Sequence, residues 1–177
     1  MKILKIIGIT MASIIGLFLI VAFFLPSEFT ISRSIEISKP ADSVYVEVAD
    51  FNRFVTWNPW KLMDPNSVIT INGEPATIGS IYTWNGTITG NGSMANTALV
   101  SGQSIEQDLV FLSPFESKST VYWTFEPTAS GTKATWSNKG KLDYPVARYF
   151  GLGMDKMLGG DFEKGLSNLK KKMESGS

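Results

Sequence analysis

The chain has no cysteine and no histidine among its 177 residues. No disulfide staples the fold, no thiol acts as a nucleophile, and no imidazole serves as a base or triad member. The usual zinc shells draw on the same two residue types and are excluded with them, so neither a metal nor a cofactor is assigned. Attachment of a lipid through Cys is excluded as well. An excess of either charge is also missing, because sixteen Lys and Arg balance sixteen Asp and Glu. Nucleic-acid binding needs clustered basic residues to displace counterions from phosphates, so no nucleic-acid partner is expected.

One long apolar run is present instead. Ile6 to Leu25 is 20 residues without a charge, enough at about 1.5 Å per residue to cross about 30 Å of hydrocarbon. A cleaved signal peptide and a buried core helix are the alternatives. A signal core is usually about 7 to 15 residues long and leads into a small-x-small cleavage site, whereas this run ends in Phe23-Phe24-Leu25-Pro26. The reading is a transmembrane signal anchor at 1–25 followed by one domain at 26–177. Lys2 and Lys5 precede the span and Glu28 is the first charge after it. The positive-inside rule then puts the N-terminus in the cytoplasm and the domain outside.

The remaining roughly 150 residues suffice for one domain with a sizeable core. Phe29 to Ile37 alternates apolar and polar residues as a half-buried strand does, with Arg33 interrupting the apolar face and expected near a sheet end or partly exposed. Pro40 and Asp42 mark a helix start, with Val44, Tyr45 and Val48 at helical spacing. A second short helix is expected around Asn52 to Thr56, ending in Trp57-Asn58-Pro59-Trp60, because a residue before Pro is pushed out of the helical region. Six strand-like stretches follow, at Val68–Asn72, Ser80–Trp84, Gly92–Val100, Ser104–Leu112, Ser119–Glu126 and Thr132–Lys139. The short Gly, Asn and Pro turns between them favour antiparallel meander pairing. From Val146 the spacing becomes helical again, predicting one long helix bent or broken at Gly159-Gly160.

That order, and three sets of residues, resemble a known family. The sets are Phe29 to Ile37 with Pro40 to Tyr45, Asp50 through Trp60, and Trp123 to Pro127 with Gly131 to Trp136 and Phe162 to Lys170. The chain resembles the START-like (SRPBCC) superfamily in its polyketide cyclase/dehydrase and lipid transport branch, over roughly Glu28 to Glu174. The resemblance implies an α+β helix-grip fold, in which a curved antiparallel sheet of about seven strands wraps a long C-terminal helix. It also implies a cavity between them for an apolar or amphipathic small molecule.

Strand alternation then selects the side chains that face inward. Ile105, Gln107, Leu109 and Phe111 form one set, Val121, Trp123 and Phe125 another, and Ala134, Trp136 and Asn138 a third. The candidate cavity lining is Trp57, Trp60, Trp84, Gln107, Leu109, Phe111, Trp123, Trp136 and Asn138, closed by Tyr149, Met154 and Met157. Each has a plain packing alternative: aromatic rings beside a Pro turn plug a core, and buried amides find backbone partners. Asp155, Asp161 and Glu163, interleaved with Lys156 and Lys164, read as a solvated helix face. Lys170, Lys171 and Lys172 read as complementing the helix dipole.

Three functions fit. The first is a membrane-anchored binding or carrier domain for an apolar or lipid-like molecule. The second is a cyclase/dehydrase-type enzyme, which without His or Cys would need Tyr82, Tyr122, Tyr149 or Arg33 to move protons; no catalytic residue is assigned. The third is a ligand-free extracytoplasmic interaction or sensing domain.

Overall fold

Pro26 cannot continue a helix, and in a computed structural model, which describes residues 2–175, helix α1 spans Lys2–Phe24 and the chain turns into strand β1 at Glu28–Ile37. Three short helices follow: α2 at Ala41–Ala49, α3 at Phe51–Phe54 and α4 at Pro59–Met63. Asp50 caps α3 by accepting from the Asn52 N–H. Helix α4 corrects the expectation that Trp57 to Trp60 merely ends a helix. Asn58 Oδ1 accepts from the Trp60 N–H at 3.0 Å, and Pro59 fills the first helical position, where its missing N–H costs nothing.

Strands β2 (Val68–Asn72), β3 (Ile81–Asn85), β4 (Asn91–Val100), β5 (Ser104–Ser113), β6 (Ser117–Thr128) and β7 (Gly131–Lys141) run as a meander, and β1 returns to pair with β7. The result is a seven-stranded antiparallel sheet in the order β1-β7-β6-β5-β4-β3-β2. Helix α5 covers Val146–Gly151 and α6 covers Met154–Ser175, packing chiefly along β1. This is the expected helix-grip arrangement.

The C-terminal break lies elsewhere than expected. It falls at Leu152 and Gly153, and α6 runs uninterrupted through Gly159 and Gly160. Gly159 serves close packing, because a Cβ there would collide with the Arg33 guanidinium. Arg33 lies opposite Trp136 and pairs with Asp155 at 2.9 Å and Glu163 at 2.8 Å. Those two carboxylates lie on an exposed helix face, as expected, and from it they also grip β1 through Arg33. Lys172 pairs with the buried Glu47 and donates to Thr56 Oγ1 at 2.6 Å, and Lys170 donates to the Glu36 carbonyl, so both tie α6 to the domain.

The core is built on interlocked rings. Trp123 stacks on Trp136 with centroids 4.6 Å apart, Trp136 on Phe162 at 4.3 Å, and Trp57 meets both indoles edge-on. Each such pair adds about 0.5–1.5 kcal/mol beyond the area it buries.

Candidate ligand cavity

The space between the sheet and α6 is not filled. A cavity of about 290 Å³ remains, near the lower end of the small-molecule range. Its sheet wall is Tyr82 and Trp84 on β3, Met94 on β4, Leu109 and Phe111 on β5, Val121 on β6, and Trp136 and Asn138 on β7. Phe54, Asn58 and Trp60 line it from α3 and α4, and Leu158, Asp161 and Phe162 from α6. Lys61, Met63, Ser67, Ile88 and Thr89 complete the lining.

Local sequence explains the shape. Gly92 lies opposite Trp84, where a Cβ would strike the indole, so the bare backbone lets that ring lie across β4. The Trp84 N–H donates to the Thr89 carbonyl at 3.3 Å, and the ring meets Phe111 edge-on at 5.2 Å. Trp60 packs edge-on against Trp136 and Phe162. The turn carrying Ile88 and Thr89 is held by buried Asp64, whose Oδ2 accepts from the Ile88 N–H at 2.9 Å and from the Thr89 N–H and hydroxyl at 3.3 Å. These bonds, the Ile88 N–H foremost, keep the Asp64 carboxyl below its ordinary range.

The polar points are few. Asn58 Nδ2 donates to the Tyr82 hydroxyl at 3.4 Å, and burial pushes the Tyr82 phenol up to about 12, so it is protonated at neutral pH. Lys61 commits its ammonium to the carbonyls of Pro65 and Ser67 at 2.8 and 2.7 Å. Two buried lining atoms have no partner among the described residues, the donor Trp136 Nε1 and the acceptor Asn138 Oδ1.

Of the sequence candidates, Trp60, Trp84, Leu109, Phe111, Trp136 and Asn138 line this cavity. The others lie elsewhere. Trp57 and Trp123 are consumed by the ring cluster behind the wall. Gln107 faces inward but donates to Asn96 Oδ1 at 2.9 Å, and Asn96 in turn reaches the Ala49 carbonyl. Met154 packs against the core edge, Met157 is exposed, and Tyr149 bonds to α1. Of the proton-transfer candidates only Tyr82 reaches the cavity, since Tyr122 is exposed and Arg33 is held by its two carboxylates. The sequence does not single out the other lining residues, Asn58, Met94, Leu158 and Phe162 among them. The i,i+4 spacing of Leu158 and Phe162 was the available signal for those two.

The family described as polyketide cyclase / dehydrase and lipid transport matches residues 28–174, nearly the whole chain beyond α1. The chain belongs to this family. Solved structures agree in fold at low identity. Protein CV1439 from Chromobacterium violaceum superposes with a TM-score of 0.61 at 18% identity, covering 82% of this chain and 96% of that one. Protein Ms6760 from Mycobacterium smegmatis gives 0.58 at 17%, covering 84% and 93%. The di-domain ARO/CYC StfQ of the steffimycin biosynthetic pathway gives 0.62 at 13%, covering 84% of this chain and 51% of StfQ. At these identities the likeness is one of fold. A search of curated proteins returns no match.

Proposed function

We propose that this family member is a membrane-anchored binding or carrier domain for an apolar or lipid-like small molecule. The 26–177 domain holds the ligand, and the Ile6 to Leu25 span tethers it to the bilayer with the N-terminus cytoplasmic and the domain outside. The observation that carries the reading is the unfilled cavity walled by Trp60, Tyr82, Trp84, Phe111, Trp136 and Phe162. A mainly apolar wall with a few convergent polar groups is what small-molecule sites show. Helix α1 supports the tether, being long and apolar enough to cross a membrane and almost wholly exposed. Tethering raises the local concentration of domain where an apolar ligand resides. Trp136 Nε1 and Asn138 Oδ1 offer a donor and an acceptor, which suits an apolar ligand bearing a hydroxyl or carbonyl group.

Native mass spectrometry of the full chain, released from lipid discs with and without added decanol, tests this against a Met94→Trp variant that fills the cavity. The wild type is expected to retain a small molecule or decanol and the variant to lose it. Equal behaviour of the two, with nothing retained, overturns the reading.

One observation favours a second reading, an enzyme of the cyclase type: the protonated Tyr82 hydroxyl reaches the cavity beside Asn58. In that case Tyr82→Phe abolishes turnover while leaving ligand retention intact.

A further inference from the structure

The strand register fixes which end of the sheet faces the anchor. Strand β1 begins just after α1, and its Phe29 lies opposite Gly140, which lies opposite Ser119 on β6. The Leu142 N–H closes on the Ser27 carbonyl at 2.8 Å. Ser117 therefore stands level with the exit of α1, and the β5–β6 tip beyond it, Pro114 to Glu116, projects further in the same direction. The β3–β4 turn carrying Ile88 is at this end too, since Gly90 abuts Ser113 and Pro114 of the tip. So is α5, which follows β7.

Helix α5 does more than lie near the anchor. Tyr149 donates to the Phe18 carbonyl at 2.6 Å and Tyr144 to the Leu19 carbonyl at 3.0 Å. Arg148 donates to the Ala22 and Phe23 carbonyls, both at 3.2 Å, in the terminal turn of α1, where carbonyls run short of helical donors; Ala22 also accepts from the Leu25 N–H at 3.3 Å. Phe18 precedes the end of α1 by six residues, about 9 Å along the axis. The domain thus reaches alongside the last turns of its own membrane span, using two tyrosines and an arginine, residue types that suit a bilayer interface.

The same end carries a set of exposed apolar side chains: Ile88, Leu112, Phe115, Phe150, Leu152 and Met157. Phe115 is 80% exposed, more than any large apolar residue of α1 itself. At the opposite end, the β2–β3, β4–β5 and β6–β7 connections and the strand ends beside them expose Ile78, Ile81 and Val100 and no aromatic ring among the described residues. Ile88 is also a cavity-lining residue, and Leu112 and Met157 each adjoin one, Phe111 and Leu158.

We propose that this rim is a bilayer-docking surface. The β3–β4 turn, the β5–β6 tip and the α5–α6 corner insert into the leaflet that α1 crosses, so that the cavity exchanges its ligand with lipid in the same membrane. The proposal rests on α1 being a retained membrane anchor. Its occupant is the phospholipid surface, because hydrogen bonds already tie the α5 part of the rim to the membrane-spanning helix.

The absence of Cys provides a direct test. Ile88→Cys, Phe115→Cys and Leu152→Cys, with Ser130→Cys as the distal control, are each labelled with an environment-sensitive fluorophore in the full chain. They are then reconstituted in phosphatidylcholine vesicles with or without acyl-chain nitroxide lipids. The three rim labels are expected to lose about half their emission or more to the nitroxide, as side chains buried about 5–10 Å into the interface would, while the Ser130 label is unchanged. If the protein floats with vesicles after alkaline washing but the rim labels behave like Ser130, docking is overturned and the anchor stands. If the protein does not float, the anchor reading fails and docking fails with it. Rim labels that are shielded only at high protein-to-lipid ratio assign the patch to a second copy of the chain and also overturn the proposal.

Discussion

Tyr149 donates its hydroxyl to the Phe18 carbonyl and lays its ring on the Phe18 ring with centroids 4.6 Å apart and planes 10° from parallel. One side chain thereby couples the domain to the apolar helix through two separable interactions. Its hydroxyl and its ring can be removed one at a time.

Tyr149→Phe should delete the hydrogen bond and keep the stack, costing about 0.5–1.5 kcal/mol. Tyr149→Ala should delete both, adding about as much again for the ring pair. Hydrogen exchange over residues 146–151 of the full chain in lipid discs is the readout. Exchange should quicken by up to about tenfold in the Tyr149→Phe variant, since about 1.4 kcal/mol is a factor of ten, and further in the alanine variant. Unchanged exchange would show that α5 is held by other contacts.

Removing Trp136 should be the costliest single change to the cavity wall. The ring is buried, stacks on Trp123 and Phe162 and also borders the cavity. A buried Trp→Ala substitution costs about 3–5 kcal/mol, and existing empty space leaves little prospect of collapse to soften it. Urea unfolding of the disc-bound chain, read by the remaining tryptophans, should show a loss in that range. Leu112→Ala, an exposed control, should fall within about 0.5 kcal/mol of wild type.

Gly159 and Arg33 should behave as one unit. Gly159→Ala pushes the Arg33 guanidinium off its seat and with it the pairings to Asp155 and Glu163. In a thermal-unfolding double-mutant cycle, Gly159→Ala should destabilise the wild type but have little further effect on an Arg33→Ala background. Additive losses would mean that the glycine acts through the helix backbone instead.

Stability should fall at both extremes of pH, for opposite reasons. Asp64 and Asp155 have folded-state pKa values below their ordinary 3.8, through the Ile88 N–H and the Arg33 guanidinium respectively. Their contribution is complete above that value and is lost as pH drops through the lowered folded values. Tyr82 is the reverse case: burial raises it from 10.0 to about 12, so its contribution holds below 10.0 and disappears between there and 12. Melting temperatures measured from about pH 2 to about pH 12 should show both declines. Tyr82→Phe should blunt the alkaline limb only and Asp64→Asn the acid limb only.

By itself the sequence determined the local elements. A charge-free run of twenty residues marks out most of α1, and turn dipeptides such as Asn72-Gly73 and Ser130-Gly131 bracket strands whose alternation shows which side chains face inward. Leu109, Phe111, Trp136 and Asn138 were legible for that reason. Facing inward is a period-of-two property, however, and it does not say what stands opposite. Trp123 shares the inner face with Trp136 and Trp57 meets both rings, yet only Trp136 borders the cavity. Gln107 was correctly turned inward, but its partner Asn96 sits on the neighbouring strand beside a register shift that no spacing rule locates. The close packing at Gly159 was set by Arg33, more than a hundred residues away. Backbone periodicity is written within a few residues of chain. The cavity and its rim depend on which distant surfaces meet, and that is settled only when the sheet closes on its helix.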